Sequence, residues 1–108
     1  MTEGERLFLF QRRGYLCEIC RKRRASDLHH CLFHRDKSKP ELNHEINYEC
    51  LCHVCHMQGY GDTLDHRCLF FIRQVERYGY DVVMAWLEGL TFKLRRFDFV
   101  DNGRARVS

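Results

Sequence analysis

Hydrophobic and polar positions alternate with a changing period along the chain, and each change predicts an element. Thr2 and Glu5 stand at capping-box spacing, and Leu7, Phe8 and Phe10 follow; this predicts a first helix over roughly 3–13, ended by Gly14. The stretch LHHCLF, 28–33, is short and apolar with a polar insertion, and YECL, 48–51, is a second short apolar run; both predict strands. Between them, HRDKSKPELNHEI carries the only proline and many charges, and predicts a loop. A helix is expected from Cys52 onward, stopping near Gly59 and Gly61. Leu64, Cys68, Phe71, Ile72 and Val75 recur at helical spacing up to Gly79. Asp81 then caps a shorter helix with Val82, Val83, Trp86 and Leu87 on one face, closed by Gly89. The whole predicts one α+β domain over 1–108, with a motif core at 15–60, helical support at 62–90 and a basic tail at 91–108 carrying Arg95, Arg96, Arg104 and Arg106.

Composition narrows the function class. At 108 residues, with 44% hydrophobic and 31% charged positions, the chain suits one soluble globular domain with a modest core. A metal staple would help a domain of this size. The net charge of +3 permits a nucleic-acid partner without demanding one. The N-terminal apolar run, Leu7 to Phe10, is too short and too closely flanked by charges for a secretory signal. No stretch approaches the roughly 18 apolar residues of a membrane span. The expectation is a cytoplasmic protein with no membrane partner. In a reducing compartment, cysteine pairs are read as metal sites before disulfides, and the odd count of seven points the same way.

Cys17-x-x-Cys20 and Cys52-x-x-Cys55 form a CxxC…CxxC arrangement. Each pair lets two thiolates from one tight turn reach the same ion, and four thiolates close a tetrahedron with no open position. That is the donor set of a structural Zn²⁺. Cys50 competes with Cys52 but has no cysteine at CxxC spacing, so it ranks below; Cys31 and Cys68 read as small core residues. The long interval between the two pairs means that something is inserted between the knuckles.

That insert carries Leu28-His29-His30, then Asn47, and His56 directly follows the fourth cysteine. Taken together, CEIC, LHH and NYECLCHVCH over residues 15–60 resemble the zinc-stapled branch of the HNH endonucleases, a group of ββα-metal (His-Me finger) nucleases. The resemblance implies a ββα-metal core with a four-cysteine structural zinc, flanked by an N-terminal helix and C-terminal helices. It also implies that His29 and His56 hold a catalytic divalent cation, that His30 is the general base, and that Asn47 pins the loop and orients the base. The residue types fit the chemistry. Adjacent residues of a strand point to opposite sides, so one histidine can bind a metal while its neighbour takes a proton from water. A neutral imidazole suits a base at neutral pH. Where many family members place a third metal ligand, this chain has Tyr60, with His66 as a residue that could fold back instead. Two protein ligands, completed by water and phosphate oxygens, suit Mg²⁺ or Mn²⁺.

DNA is the expected partner, gripped through its phosphates. Arg35 and Lys37, after the first strand, are the expected substrate-binding residues, with Arg35 nearest the histidines; Arg21 to Arg24 form a second basic run. His34, His44, His53 and His66 read as ordinary surface or satisfied histidines. No element for reading base sequence stands out, which leaves room for targeting by a protein partner, and small free-standing proteins of this type resemble those of phages and mobile elements. The competing reading is a non-catalytic, zinc-stabilised nucleic-acid-binding module. It uses the same cysteines but gives no reason for the register of His29, His30, Asn47 and His56. A zinc-dependent protein-interaction domain explains less still.

Overall fold

A computed structural model describes residues 2–90. The basic tail from Thr91 lies outside the described residues. Contacts cluster into two units, residues 1–62 and a second beginning at Thr63. Among the described residues the fold is α+β, with four α-helices and a two-stranded antiparallel sheet. No helix among them is long and apolar enough to cross a membrane.

The first unit opens with α1, Glu3–Arg12. The Thr2 hydroxyl accepts from the Glu5 backbone N–H at 3.1 Å, the N-cap bond expected at that spacing, and donates to the Glu5 carboxylate at 3.2 Å, which takes the hydroxyl rather than the Thr2 backbone N–H of a reciprocal capping box. Gly14, at φ +81°, takes the left-handed conformation that ends the helix and turns the chain toward the first cysteine pair. The knuckle around Cys17 and Cys20 is closed by backbone bonds from Cys17 N to Arg23 O and from Arg21 N to Cys17 O.

Strands β1 (Asp27–His30) and β2 (Tyr48–Leu51) pair antiparallel, with Leu28 opposite Cys50, His29 opposite Glu49 and His30 opposite Tyr48. Directly opposed residues share a face. Leu28, Tyr48 and Cys50 pack with Leu9 and Phe10, so one face of the hairpin is covered by α1. On the other face Leu51 packs with Cys17, Cys52 and Cys55, where α2 (His53–Met57) begins. β1 is shorter than the expected 28–33: it stops at His30 because the backbone of Cys31, Leu32 and Phe33 bonds to Asn47 rather than to a strand. The charged loop holds two single-turn 3-10 helices, Pro40–Leu42 and Glu45–Asn47, and a third, Tyr60–Asp62, follows α2.

Arg13 fastens these pieces together. Its guanidinium pairs with Glu18 at 2.9 Å, both side chains being 4% exposed, and also donates to the carbonyls of Tyr48 and Glu45. These further bonds to carbonyls satisfy the guanidinium side of the buried pair. One arginine at the end of α1 thereby fixes the knuckle, the loop and β2.

The second unit contains α3, Leu64–Tyr78, and α4, Tyr80–Glu88, which pack on each other. Thr63 caps α3, and Gly79, at φ +91°, ends it as expected. The same glycine starts α4, so the second helix begins one residue before Asp81, which lies in its first turn instead of capping it. Cys68 and Phe71 are buried as expected, but Phe70 and Gln74 complete the face, whereas Leu64 is exposed.

Candidate metal and active site

Cys17, Cys20, Cys52 and Cys55 converge: their four Sγ atoms all lie within 4.8 Å of one another. The cluster could hold a metal ion. Local structure explains the convergence. Cys52 is the N-cap of α2, its Sγ accepting from the Cys55 N–H at 3.5 Å, so the CxxC is the first turn of a helix. Backbone N–H groups of Lys22 and Arg23 pull the Cys20 thiol down to about 6, and the Cys55 N–H lowers that of Cys52. Burial, followed by the neighbouring thiols, pushes Cys55 up to about 12. Two of the four thiols are thus eased toward the thiolate, while full ionisation of the set calls for a cation among them. The Arg23 guanidinium, 3.9 Å from Cys20 Sγ and 3.8 Å from Cys52 Sγ, adds positive charge from outside. Cys50 is apart from this group, buried in the α1 face of the hairpin.

A second constellation stands on β1 and α2. His29, His30 and His56 all line one pocket of about 300 Å³, together with Leu28, His34, Arg35 and Asp62. His29 is 8% exposed, and its ring meets that of His56 edge-on, with centroids 5.2 Å apart. Burial holds the His29 pKa below its ordinary value, against the opposing charges of Asp62 and Glu49, so the ring is neutral. Its Nε2 is buried and forms no hydrogen bond among the described residues, although Asp62 Oδ1 lies 3.3 Å away. The contact has the reach of an ion pair without the alignment of a hydrogen bond. His56 presents Nδ1 to Asp27 Oδ2 at 2.9 Å. Burial works against a charge on Asp27, yet bonds from His56, His53 and Ser26 outweigh it and hold the carboxyl below its usual range. An ionised Asp27 fixes the proton of His56 on Nδ1 and leaves Nε2 with its lone pair.

His30 occupies the opposite face of β1, as the alternation of a strand requires. Its ring lies edge-on to Tyr48, with centroids 4.8 Å apart, and its Nε2 is 2.8 Å from Asn43 Oδ1. The ring is thus oriented by Asn43 and not by the side chain of Asn47. Asn47 is fully buried and holds the loop: Oδ1 accepts from the N–H groups of Leu32 and Phe33, both at 2.9 Å, and Nδ2 donates to the carbonyls of Phe33 and Leu42, both at 3.0 Å. All the side-chain hydrogen bonds of Asn47 among the described residues go to backbone, so it sets the chain that follows His30.

Arg35 lines the histidine pocket, whereas Lys37 is exposed and does not line it. Tyr60 is 53% exposed and outside the pocket; the residue that its 3-10 turn delivers there is Asp62. His53 shares Asp27 with His56, and His44 caps a 3-10 turn by accepting from the Ile46 N–H. Asp27, Asn43 and Asp62 are additions that the sequence did not single out. Asp27 alternates with His29 along one strand face, which is a readable signal; Asn43 and Asp62 arrive through irregular turns and carry none. No family model, curated protein or solved structure matches the chain.

Proposed function

We propose that the chain is a metal-dependent endonuclease that hydrolyses phosphodiester bonds in DNA, built on a ββα-metal core of the HNH type. The observation that carries this reading is the convergence of His29, His30 and His56 on one pocket, with the buried Nε2 of His29 left without a well-aligned hydrogen bond among the described residues. A buried polar nitrogen left without a partner costs free energy unless a ligand uses it. Ligands about 2.1 Å from a shared ion stand roughly 3.0 to 3.4 Å apart in octahedral or tetrahedral geometry. The 3.3 Å between His29 Nε2 and Asp62 Oδ1 falls in that range, and a neutral imidazole facing a carboxylate is the donor set of a divalent cation. His29 and Asp62 would hold it, and His56, whose ring centroid is 5.2 Å from that of His29, would move in to complete the set in place of Tyr60. A Mg²⁺ or Mn²⁺ ion there would stabilise negative charge on the phosphate and on the leaving oxygen.

The remaining roles belong to the chain. Asn43 accepts from His30 Nε2–H, which leaves Nδ1 as the basic nitrogen. His30 takes a proton from water there as the water oxygen attacks phosphorus and the P–O bond to the leaving oxygen breaks. Arg35 neutralises the phosphate. The four cysteines bind Zn²⁺: ligands 2.3 Å from a tetrahedral ion are about 3.8 Å apart, and Cys20 Sγ and Cys52 Sγ are 3.9 Å apart. This ion fastens the knuckle to the start of α2 and so keeps His56 against β1.

Supercoiled plasmid incubated with Mg²⁺, Mn²⁺, Ni²⁺ or Zn²⁺ tests the reading. Wild-type protein should nick it in a metal-dependent way and His30→Ala should not. Equal cleavage by both overturns the role of His30. Binding of plasmid without cleavage in any metal assigns a non-catalytic nucleic-acid-binding module instead.

A further inference from the structure

His30 separates two cavities. On one side is the pocket with His29, His56 and Asp62; on the other is a cavity of about 230 Å³ lined by Arg6, Leu28, His30, Arg35, Asn43 and Tyr48. Leu28, His30 and Arg35 border both. The second cavity exists because β1 turns His30 and Leu28 toward the face that α1 covers, and α1 brings Arg6 to its rim. Among the described residues no carboxylate lines it, although the chain is rich in acidic groups, and two guanidiniums do.

Among the described residues no carboxylate neutralises either guanidinium. Arg12 and Arg13 of the same helix pair with Glu45 and Glu18. Arg6 instead donates to the Ser26 carbonyl and lies over the Phe10 ring, 5.4 Å from its centroid, and among the described residues neither Arg6 nor Arg35 has a carboxylate partner. The Ser26 bond and the ring hold the half-buried Arg6 in place without cancelling its charge, and its other N–H donors are left for an anion.

The geometry points to a second phosphate subsite, in which Arg6 and Arg35 bind the phosphodiester next to the one being cut, so that a nucleic-acid strand crosses over His30. The identity of the ligand as a strand rests on the nuclease reading; the anion subsite itself rests on the two arginines and the cavity. Arg6 is a binding residue that sets the register of the strand, and it touches no reacting atom. It lies in the N-terminal helix, outside the 15–60 stretch that carries the motif.

The test is binding of a fluorescein-labelled DNA duplex to the full zinc-loaded chain with no other divalent cation added, followed by anisotropy over a series of NaCl concentrations. Each lost phosphate contact should reduce the slope of log K against log[NaCl] by about one. Arg6→Gln and Arg35→Gln should each show this reduction, the double variant about twice as much, and Arg6→Lys should recover most of it. Plasmid nicking by Arg6→Gln should keep its kcat and raise its KM. An unchanged slope in Arg6→Gln, with its melting temperature intact, overturns the subsite even where the wild type nicks plasmid. Reduced slopes with no nicking in any metal leave the subsite standing and remove the nuclease reading. Inorganic phosphate that binds the wild type and loses affinity in Arg6→Gln as strongly as the duplex does would mark a free-anion site and overturn the strand assignment.

Discussion

Asn47 and His30 illustrate how differently two residues of one motif depend on their surroundings. The Asn47 side chain makes four bonds to backbone groups, two of them fully buried and the two to Phe33 partly so. Asn47→Ala strands those groups, and at roughly 1 to 3 kcal/mol for each buried group left unsatisfied, partial relaxation still leaves a loss of about 3 kcal/mol. Urea denaturation should show this as a lower midpoint, and an unchanged midpoint would remove Asn47 as the pin of the loop. His30 is half-buried at the pocket rim and makes one side-chain bond, to Asn43, with an edge contact to Tyr48. His30→Ala should therefore cost about 1 kcal/mol or less of stability while nicking falls on the order of a hundredfold or more, the usual contribution of a general base. A collapse of the melting temperature in His30→Ala would recast the residue as structural.

At the scale of elements, the turn Tyr60–Asp62 limits the site more tightly than its sequence suggests. A Cβ at Gly61 would sit 2.8 Å from Cδ2 and Nε2 of His29. Gly61→Ala must push the ring off its position, at a cost of about 1 to 3 kcal/mol for overpacking, and should weaken Mn²⁺ binding, measured by electron paramagnetic resonance, without lowering zinc content. Unaltered Mn²⁺ affinity would separate His29 from the cation. In the sequence, Gly61 reads only as a helix stop. The contrast shows what periodicity carries. The N-cap of α1, both strands, α3 and the cysteine knuckles were legible, because each rests on local spacing. Asp62, Asn43 and Arg6 were not, since their approach to the histidines is set by single turns, by the packing of α1 on the hairpin and by the buried Arg13–Glu18 pair. Asp81 is not the cap that its spacing suggests, because Gly79 already supplies the bend between α3 and α4.

Across the first unit, two small clusters share the labour of holding the hairpin. Leu9, Phe10, Ala25, Tyr48 and Cys50 form one, and Cys17, Leu51, Cys52 and Cys55 form the other. Neither is large, and an apolar core of this size supplies only a few kcal/mol. A zinc ion bound by four thiolates contributes far more, on the order of 10 kcal/mol in small zinc domains, which is comparable to the entire stability of a typical fold. The two clusters should therefore respond differently to the same chemical change. Cys17→Ser removes a ligand from a fully buried position; it should release the metal, seen as a fall in zinc per chain by plasma mass spectrometry, and expose the amides of β2 to rapid hydrogen exchange. Cys50→Ser replaces an equally buried thiol in the other cluster; it should keep a full complement of zinc and lose about 1 to 3 kcal/mol, the cost of a hydroxyl in an apolar setting. Loss of zinc from Cys50→Ser would move the ligand from the turn at Cys52 to the strand beside it, and with it the tie between β2 and α2 that holds His56 against His29.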